Sequence, residues 1–270
     1  MSYVILQILP YITIAIFIVG IIYRLGRWAR ARIVHNITLS TPEFPKSVTG
    51  AVAEAGTDII FFKSLFNLDR GLWVGAWPMH VALGAILGGH FMGIYFLGKQ
   101  FAFMPGITEQ TSEQMSSLLG LTFGILIFFA LLYLLYRRLA VDYVKKVSLT
   151  SDYLHLFLLI AIVSVGNFMR LFPGLGIEYT PVKEYVTNLL MFQPVPISAE
   201  VMQKPLFAIH LLLVQVLLIV FPFSKLMHLL GMFGSKYIVT RPYHQPAPGM
   251  EKAELLKRMP VVTKQLGRGV

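Results

Sequence analysis

The hydrophobic positions of this chain gather into blocks of about 20 residues, separated by polar and charged stretches. A block of that length crosses a hydrocarbon core of about 30 Å as an α-helix, because the helix rises about 1.5 Å per residue. The pattern predicts five transmembrane helices, which we place at Tyr3–Tyr23, Leu72–Leu97, Ser117–Tyr136, Asp152–Phe172 and Leu206–Leu230. The predicted fold class is an all-α membrane protein, with a membrane domain over residues 1–235 and a tail over residues 236–270.

One further segment, Ser47–Asn67, has an apolar side but also carries Glu54, Asp58 and Lys63. Charged residues on one face and apolar residues on the other are typical of a helix that lies in the membrane interface. We therefore predict an interfacial helix here and not a sixth span.

The composition supports membrane insertion and excludes several kinds of redox site. Of the 270 residues, 56% are hydrophobic and only 13% are charged, against about 25% charged in soluble domains. Cysteine is absent, which excludes disulfides, iron–sulfur clusters held by thiolates and covalently attached c-type haem.

The net charge of +10 reflects membrane orientation and not nucleic-acid binding, because the basic residues lie at the ends of the apolar blocks. All but four of the 23 Lys and Arg residues follow the first or third span, or lie at the end of the fifth span and in the tail; the four others are Lys99, Arg170, Lys183 and Lys204. The positive-inside rule then places the N-terminus outside and the basic tail in the cytoplasm. The chain is expected to be a multi-pass protein of the cytoplasmic membrane with lipid as its surroundings.

Four histidines lie deep within two of the predicted spans: His80 and His90 in the second, His210 and His228 in the fifth. An ionisable residue at that depth is costly and indicates a functional site, and neutral imidazole is the usual axial ligand of haem iron. Ten residues separate the first two, about 15 Å along a helix, which suits two stacked macrocycles. Eighteen residues separate the other two; in one continuous helix that is about five turns, so both rings would leave the same face.

The topology predicts how these histidines pair. The second and fifth spans run in opposite directions, so His80 faces His228 near the cytoplasmic side and His90 faces His210 near the outer side. We therefore predict two b-type haems between the second and fifth helices. The separations along the two helices differ, about 15 Å against about 27 Å, and tilted haem planes with a kink at Pro222 would reconcile them.

The same residues allow other interpretations. The four histidines could instead hydrogen-bond to neighbouring helices. The glycines Gly84, Gly88, Gly89 and Gly93 leave room beside flat macrocycles or permit close helix packing. His155, a turn into the fourth span, fits an ordinary interfacial role, a propionate contact or a quinone site.

The motifs AWPMH-x9-H and H-x17-H, with FPFSKLMH closing the last span, resemble the gamma subunit of membrane-bound respiratory nitrate reductase over roughly residues 1–235. The resemblance implies five spans, an outer N-terminus and two bis-histidine b haems. The segments FFKSLFNLDRGLWVGAW, GNFMRLF and MFQPVPIS look closer to the cytochrome b of a complex associated with dissimilatory sulfite reduction. The cytochrome b of heterodisulfide reductase is a near relative and stays an alternative.

Resemblance further implies a function: menaquinol is oxidised near the outer haem, and electrons pass through the inner haem to a cytoplasmic, heterodisulfide-reductase-like iron–sulfur subunit. Further membrane and periplasmic subunits would complete a quinol-linked oxidoreductase of dissimilatory sulfur metabolism. Gly89, His90 and Lys99 would form the quinone site, and Arg170 would pair with an outer propionate. The nitrate reductase family has a functional lysine further into the second loop, with no counterpart at that offset here.

Two other classes of membrane protein are alternatives. A haem-free anchor would only tether a partner enzyme. A proton-coupled transporter predicts acidic residues at the centres of the spans, and none occurs there.

Overall fold

The computed structural model describes residues 2–30, 47–96 and 101–232. The chain divides into two compact units, Met1–Leu25 with Ser64–Leu226, and Gly26–Lys63 with Met227–Val270. Each unit is considered by itself. The basic tail over residues 236–270 and Lys99 lie outside the described residues.

All secondary structure within the described residues is helical. A π-helical turn, Val4–Ile8, leads into the first helix, and the α-helices in chain order are α1 (Leu9–Arg30), α2 (Val48–Phe61), α3 (Lys63–Leu68), α4 (Arg70–Phe96), α5 (Glu109–Ala140), α6 (Asp142–Val147), α7 (Thr150–Leu171), α8 (Tyr179–Leu190), α9 (Glu200–Gln203) and α10 (Pro205–Val220).

Five helical segments in the described part of the chain are long and apolar enough to cross a membrane, which confirms the predicted number of spans. They are Val4–Arg30, Arg70–Gly93, Glu109–Ala140, Thr150–Leu171 and Pro205–Phe223. The predicted interfacial segment is not among them. It forms two helices, α2 and α3, and not one, because Phe62 between them has a left-handed φ of 52°.

The predicted fifth span, Leu206–Leu230, is wrong as a single helix. α10 ends at Val220, and two short 3-10 turns follow, Phe221–Phe223 and Lys225–Met227. Pro222 explains the break, since proline has no N–H to donate to the preceding turn. The expectation that His210 and His228 leave one face of a helix assumed an uninterrupted helix, and that argument no longer applies.

The helices of the first unit pack in a chain of neighbours. α4 packs on α5, α5 on α7, α7 on α10, and α10 against the π-helical turn. The buried centre of the α4, α5 and α7 group is apolar: Ala82, Ile127, Leu131 and Leu156. Close approach of α4 to α5 depends on Gly75, where a Cβ would lie 2.6 Å from Cδ1 of Tyr133.

A second core joins the π-helical turn to the long segment between α7 and α10. Its buried members are Leu6, Tyr185, Val195, Val201 and Ala208. The Tyr185 hydroxyl donates to the carbonyl of Leu6 at 2.8 Å, and the Gln215 amide donates to the carbonyl of Ile5 at 3.0 Å. A π-helical turn alters which carbonyls its own backbone can satisfy, and side chains from α8 and α10 bond to two of them here.

Candidate functional site

Three of the four predicted ligands lie in the first unit. His80 and His90 are on α4, and His210 is on α10. His228 lies in the second unit, in the helical stretch 228–232 that follows the 3-10 turns.

Both histidines of α4 are oriented by their own helix. Nδ1 of His80 lies 2.7 Å from the carbonyl oxygen of Ala76, and Nδ1 of His90 lies 2.8 Å from that of Ile86. A carbonyl oxygen only accepts, so Nδ1 carries the proton in each ring and donates it. This tautomer leaves Nε2 with its lone pair, as histidines that ligate a metal characteristically have it.

His210 is oriented by a neighbouring helix instead. Its Nδ1 donates to the carbonyl of Ile162 on α7, at 3.1 Å. One turn further along α7, a Cβ at Gly166 would lie 3.2 Å from Cε1 of His210. The missing side chain therefore gives the imidazole room to reach α7. The sequence contained this glycine within GNFMRLF, but its contact with His210 depends on the packing of α7 on α10.

His90 and His210 lie on helices that are not a closely packed pair in the described part of the chain, since α4 and α10 are connected through α5 and α7. Helices that hold the two ligands of one flat ring would leave room between them, and this packing is compatible with that. The pairing of His90 with His210 stays a prediction.

The glycine-rich face of α4 distinguishes between close helix packing and room for a macrocycle. A Cβ at Gly84, Gly88 or Gly89 would meet no atom of the described residues within 4 Å, so these glycines do not serve close helix packing within that part of the chain. They fit the interpretation that leaves room for a macrocycle. In the described residues no group of three or more His, Cys, Asp or Glu side chains could hold a metal ion.

Arg170 has a structural contact of its own. Its guanidinium lies over Gly120 of α5, and Nη1 donates to the carbonyl of Ser116 at 3.4 Å. One turn earlier, the Asn167 amide donates to the carbonyl of Gly124 at 2.8 Å. These two polar residues attach α7 to α5, and Arg170 remains exposed at the end of its helix.

The opposite end of the first unit holds a charged cluster that the sequence did not reveal. The buried carboxylate of Asp152, at the start of α7, forms an ion pair with Lys225 at 2.8 Å, and Arg138 lies 3.6 Å away. The backbone N–H of Leu149 donates to the same carboxylate at 3.0 Å. Asp69 and Arg137 form a second ion pair between the start of α4 and the end of α5. Lys225 and Asp152 lie 73 residues apart in the sequence, so no local pattern indicated that they would form an ion pair.

Comparison with known proteins points to one family. The family described as the nitrate reductase gamma subunit matches residues 63–245. The chain is 31% identical over 259 residues to the Hdr-like menaquinol oxidoreductase cytochrome b-like subunit of Archaeoglobus fulgidus, covering 84% of this chain and 76% of that protein. It is 30% identical over 242 residues to the nitrate reductase gamma chain of Bacillus subtilis, covering 87% and 93%.

Proposed function

Because the chain belongs to the nitrate reductase gamma subunit family and is a multi-pass membrane protein, we propose that it is a dihaem cytochrome b subunit. It would exchange electrons between menaquinol and a cytoplasmic iron–sulfur partner in dissimilatory sulfur metabolism. The observation that supports this most directly is that His90 and His210 each have Nδ1 held by a carbonyl, which leaves Nε2 available as a ligand.

We propose His90 and His210 as the ligands of an outer haem, and His80 and His228 as the ligands of an inner one. Haem b, when bound, supplies one-electron redox chemistry. The chain itself supplies the fixed imidazoles, a glycine face against which a flat ring can lie, and apolar helices that exclude water. Carbonyl acceptance at Nδ1 raises the basicity of the His80, His90 and His210 rings and fixes their planes.

The menaquinol and partner assignments are supported by the relatives' names and by the composition. Two relatives from Archaeoglobus are called Hdr-like menaquinol oxidoreductase subunits. A chain without cysteine holds no thiolate-bound cluster of its own, so its electrons pass to or from another subunit. We propose Gly89, His90 and Lys99 for the quinone site, and Arg170 for an outer propionate alongside its bond to Ser116.

A pyridine haemochrome assay tests the haem content. We expect two b-type haems per fully loaded chain, and one haem or none would contradict the proposal; none would favour an anchor subunit. His155→Ala is the matched control, since His155 is a histidine of a spanning helix that we do not propose as a ligand, and this variant should keep both haems.

Quinol-driven haem reduction in oriented vesicles tests the side of reaction. If quinol enters at the outer haem, His90→Ala should abolish rapid reduction of the inner haem. Reduction of the inner haem at the wild-type rate in that variant would place quinol entry on the cytoplasmic side. Subunits that co-purify with the chain would separate a sulfur-metabolism complex from a nitrate reductase or a heterodisulfide reductase.

A further inference from the structure

The segment after α8 displays apolar side chains outward. We call Leu190, Met191, Phe192 and Ile197 the apolar tip; all four are exposed, and Phe192 is exposed to 82%. Phe192 also has a φ of 56°, a left-handed conformation that residues other than glycine rarely adopt. An exposed apolar cluster on a segment between two helices indicates an interaction surface.

Contacts with α1 establish how deep the apolar tip lies. The Phe192 ring stacks on Tyr11 with centroids 5.5 Å apart, and the Tyr11 hydroxyl donates to the carbonyl of Leu189 at 3.1 Å. From Tyr11 to Arg24 the helix rises about 20 Å. Arg24 marks the interface at its end of the span, since charged heads stay at the edge of the hydrocarbon. In a core of about 30 Å, Tyr11 then lies about 10 Å inside the opposite boundary.

The backbone N–H groups of residues 191 to 196 meet the requirement for that depth. Irregular backbone within the hydrocarbon must have its polar groups satisfied by the protein. The N–H groups of Met191, Phe192 and Gln193 donate to carbonyls at the end of α8, at 3.0, 3.2 and 2.8 Å. The N–H of Val195 donates to the buried Gln7 side chain at 2.8 Å. Pro194 and Pro196 have no N–H, so every backbone donor from residue 191 to 196 is accounted for.

We infer that the apolar tip is a shallow re-entrant segment that inserts among the acyl chains of the membrane beside α1. The chain on either side of Tyr11 has the same apolar character, since Ile8 at the end of the π-helical turn and Ile12 of α1 are both exposed. The inference depends on neither the haems nor the direction of electron flow. We take lipid acyl chains as the surroundings of the apolar tip, because its depth is measured along α1, a helix that itself spans the bilayer.

The absence of cysteine from the chain allows a clean test with single-cysteine variants of the full, haem-loaded protein in lipid vesicles. Phe192→Cys reports on the apolar tip, Ile12→Cys is the matched lipid-facing control, and Glu184→Cys, exposed on α8, is the water-facing control. Each variant is treated with a charged maleimide loaded on both sides of the membrane. Retention of the wild-type haem spectrum confirms folding.

We expect Phe192→Cys to react at least tenfold more slowly than Glu184→Cys and at about the rate of Ile12→Cys. A photoactivatable group on a lipid acyl chain should also crosslink to residues 190–192. Labelling of Phe192→Cys at the rate of Glu184→Cys would overturn the inference. So would rapid labelling in vesicles that becomes slow only when partner subunits are bound, because the apolar tip would then be a protein interface.

Discussion

The two ends of the first unit differ in the chemistry of their polar contacts. Where α4 ends and α10 begins, the buried and half-buried polar contacts join neutral groups: the imidazole of His210 to a carbonyl, the Tyr185 hydroxyl to Leu6 and the Gln215 amide to Ile5. The ion pair of Lys204 with Glu200 at this end is partly exposed. At the other end, carboxylates bond to cations, with Asp152 on Lys225 and Asp69 on Arg137. We call these the neutral end and the charged end.

The difference follows from what each end has to do. Neutral carbonyl groups orient the rings of His90 and His210, so neither ring has a charged partner at Nδ1. At the charged end, the ion pair at Lys225 fastens the chain directly after the break in α10. A helix that has lost its continuous hydrogen bonds at Pro222 needs another attachment there, and a buried carboxylate supplies one.

The largest expected effect is the loss of a whole haem. His90→Ala and His210→Ala should remove one and the same redox component, and His80→Ala and His228→Ala should remove the other. Redox titration of each variant measures this. If His80→Ala and His210→Ala remove a common component, the assignment of one haem to each end fails.

Lys225→Met should produce the next largest effect. The Asp152 side chain is 8% exposed and that of Lys225 is 61% exposed. Removing the lysine leaves a buried carboxylate whose remaining partners in the described residues are Arg138 and the N–H of Leu149. We expect a loss of stability on the order of 1–2 kcal/mol, because an unpaired buried charge is costly but the exposed partner is well screened. Thermal unfolding followed by haem absorbance measures it, and Lys225→Arg should recover most of the loss.

Lys204→Met is the matched control at the neutral end. Lys204 pairs with Glu200 at 3.6 Å one turn apart, and both side chains are partly exposed. Such surface pairs contribute about 0.5 kcal/mol or less. An equal loss in the two variants would show that burial of Asp152 has no special effect.

The sequence predicted those features that repeat along the chain or depend on composition. Five apolar blocks predicted the five spans, and Pro222 predicted where α10 is interrupted. The pairing of His90 with His210, which the order of the histidines predicts, stays a prediction. Contacts between distant segments leave no periodic signal, so the Asp152–Lys225 ion pair and the packing of Gly166 against His210 were not predicted. The expectation that His210 and His228 leave one face of a helix failed because it assumed an uninterrupted helix, whereas α10 is broken at Pro222.

Gly166→Ala should have a smaller and more local effect. The added methyl would crowd Cε1 of His210, so the ring must rotate or shift by a few tenths of an ångström. We expect a changed midpoint potential and low-spin EPR signal for the haem that His210→Ala removes, and no change in the other. A better helix propensity, about 1 kcal/mol for Ala over Gly, offsets part of the crowding, so stability should change little.

Gly26→Ala on α1 is the control, because a Cβ there meets no atom within 4 Å. It should show the gain in helix propensity with both haem signals unchanged. If Gly166→Ala also leaves the midpoint potential and EPR signal of both haems unchanged, then α7 does not position His210.

Tyr185→Phe should affect stability alone, with both haem signals unchanged, and its pH dependence is characteristic of the neutral end. Burial, and to a lesser degree the nearby Tyr11, raises the pKa of the Tyr185 phenol above its ordinary value, which is about 10. Above about pH 10 the unfolded chain therefore loses this proton while the folded chain keeps it, so the wild-type protein loses stability as the pH rises further.

At pH 8 the variant should be less stable by about 1 kcal/mol, because the carbonyl of Leu6 loses its hydrogen bond. The gap between wild type and variant should then narrow from pH 9 to pH 11 and be insensitive to salt, whereas the effect of Lys225→Met should weaken as salt is added. Thermal unfolding across that pH series, at low and high salt, measures both, and a gap that stays constant up to pH 11 would show that the folded and unfolded phenols titrate alike.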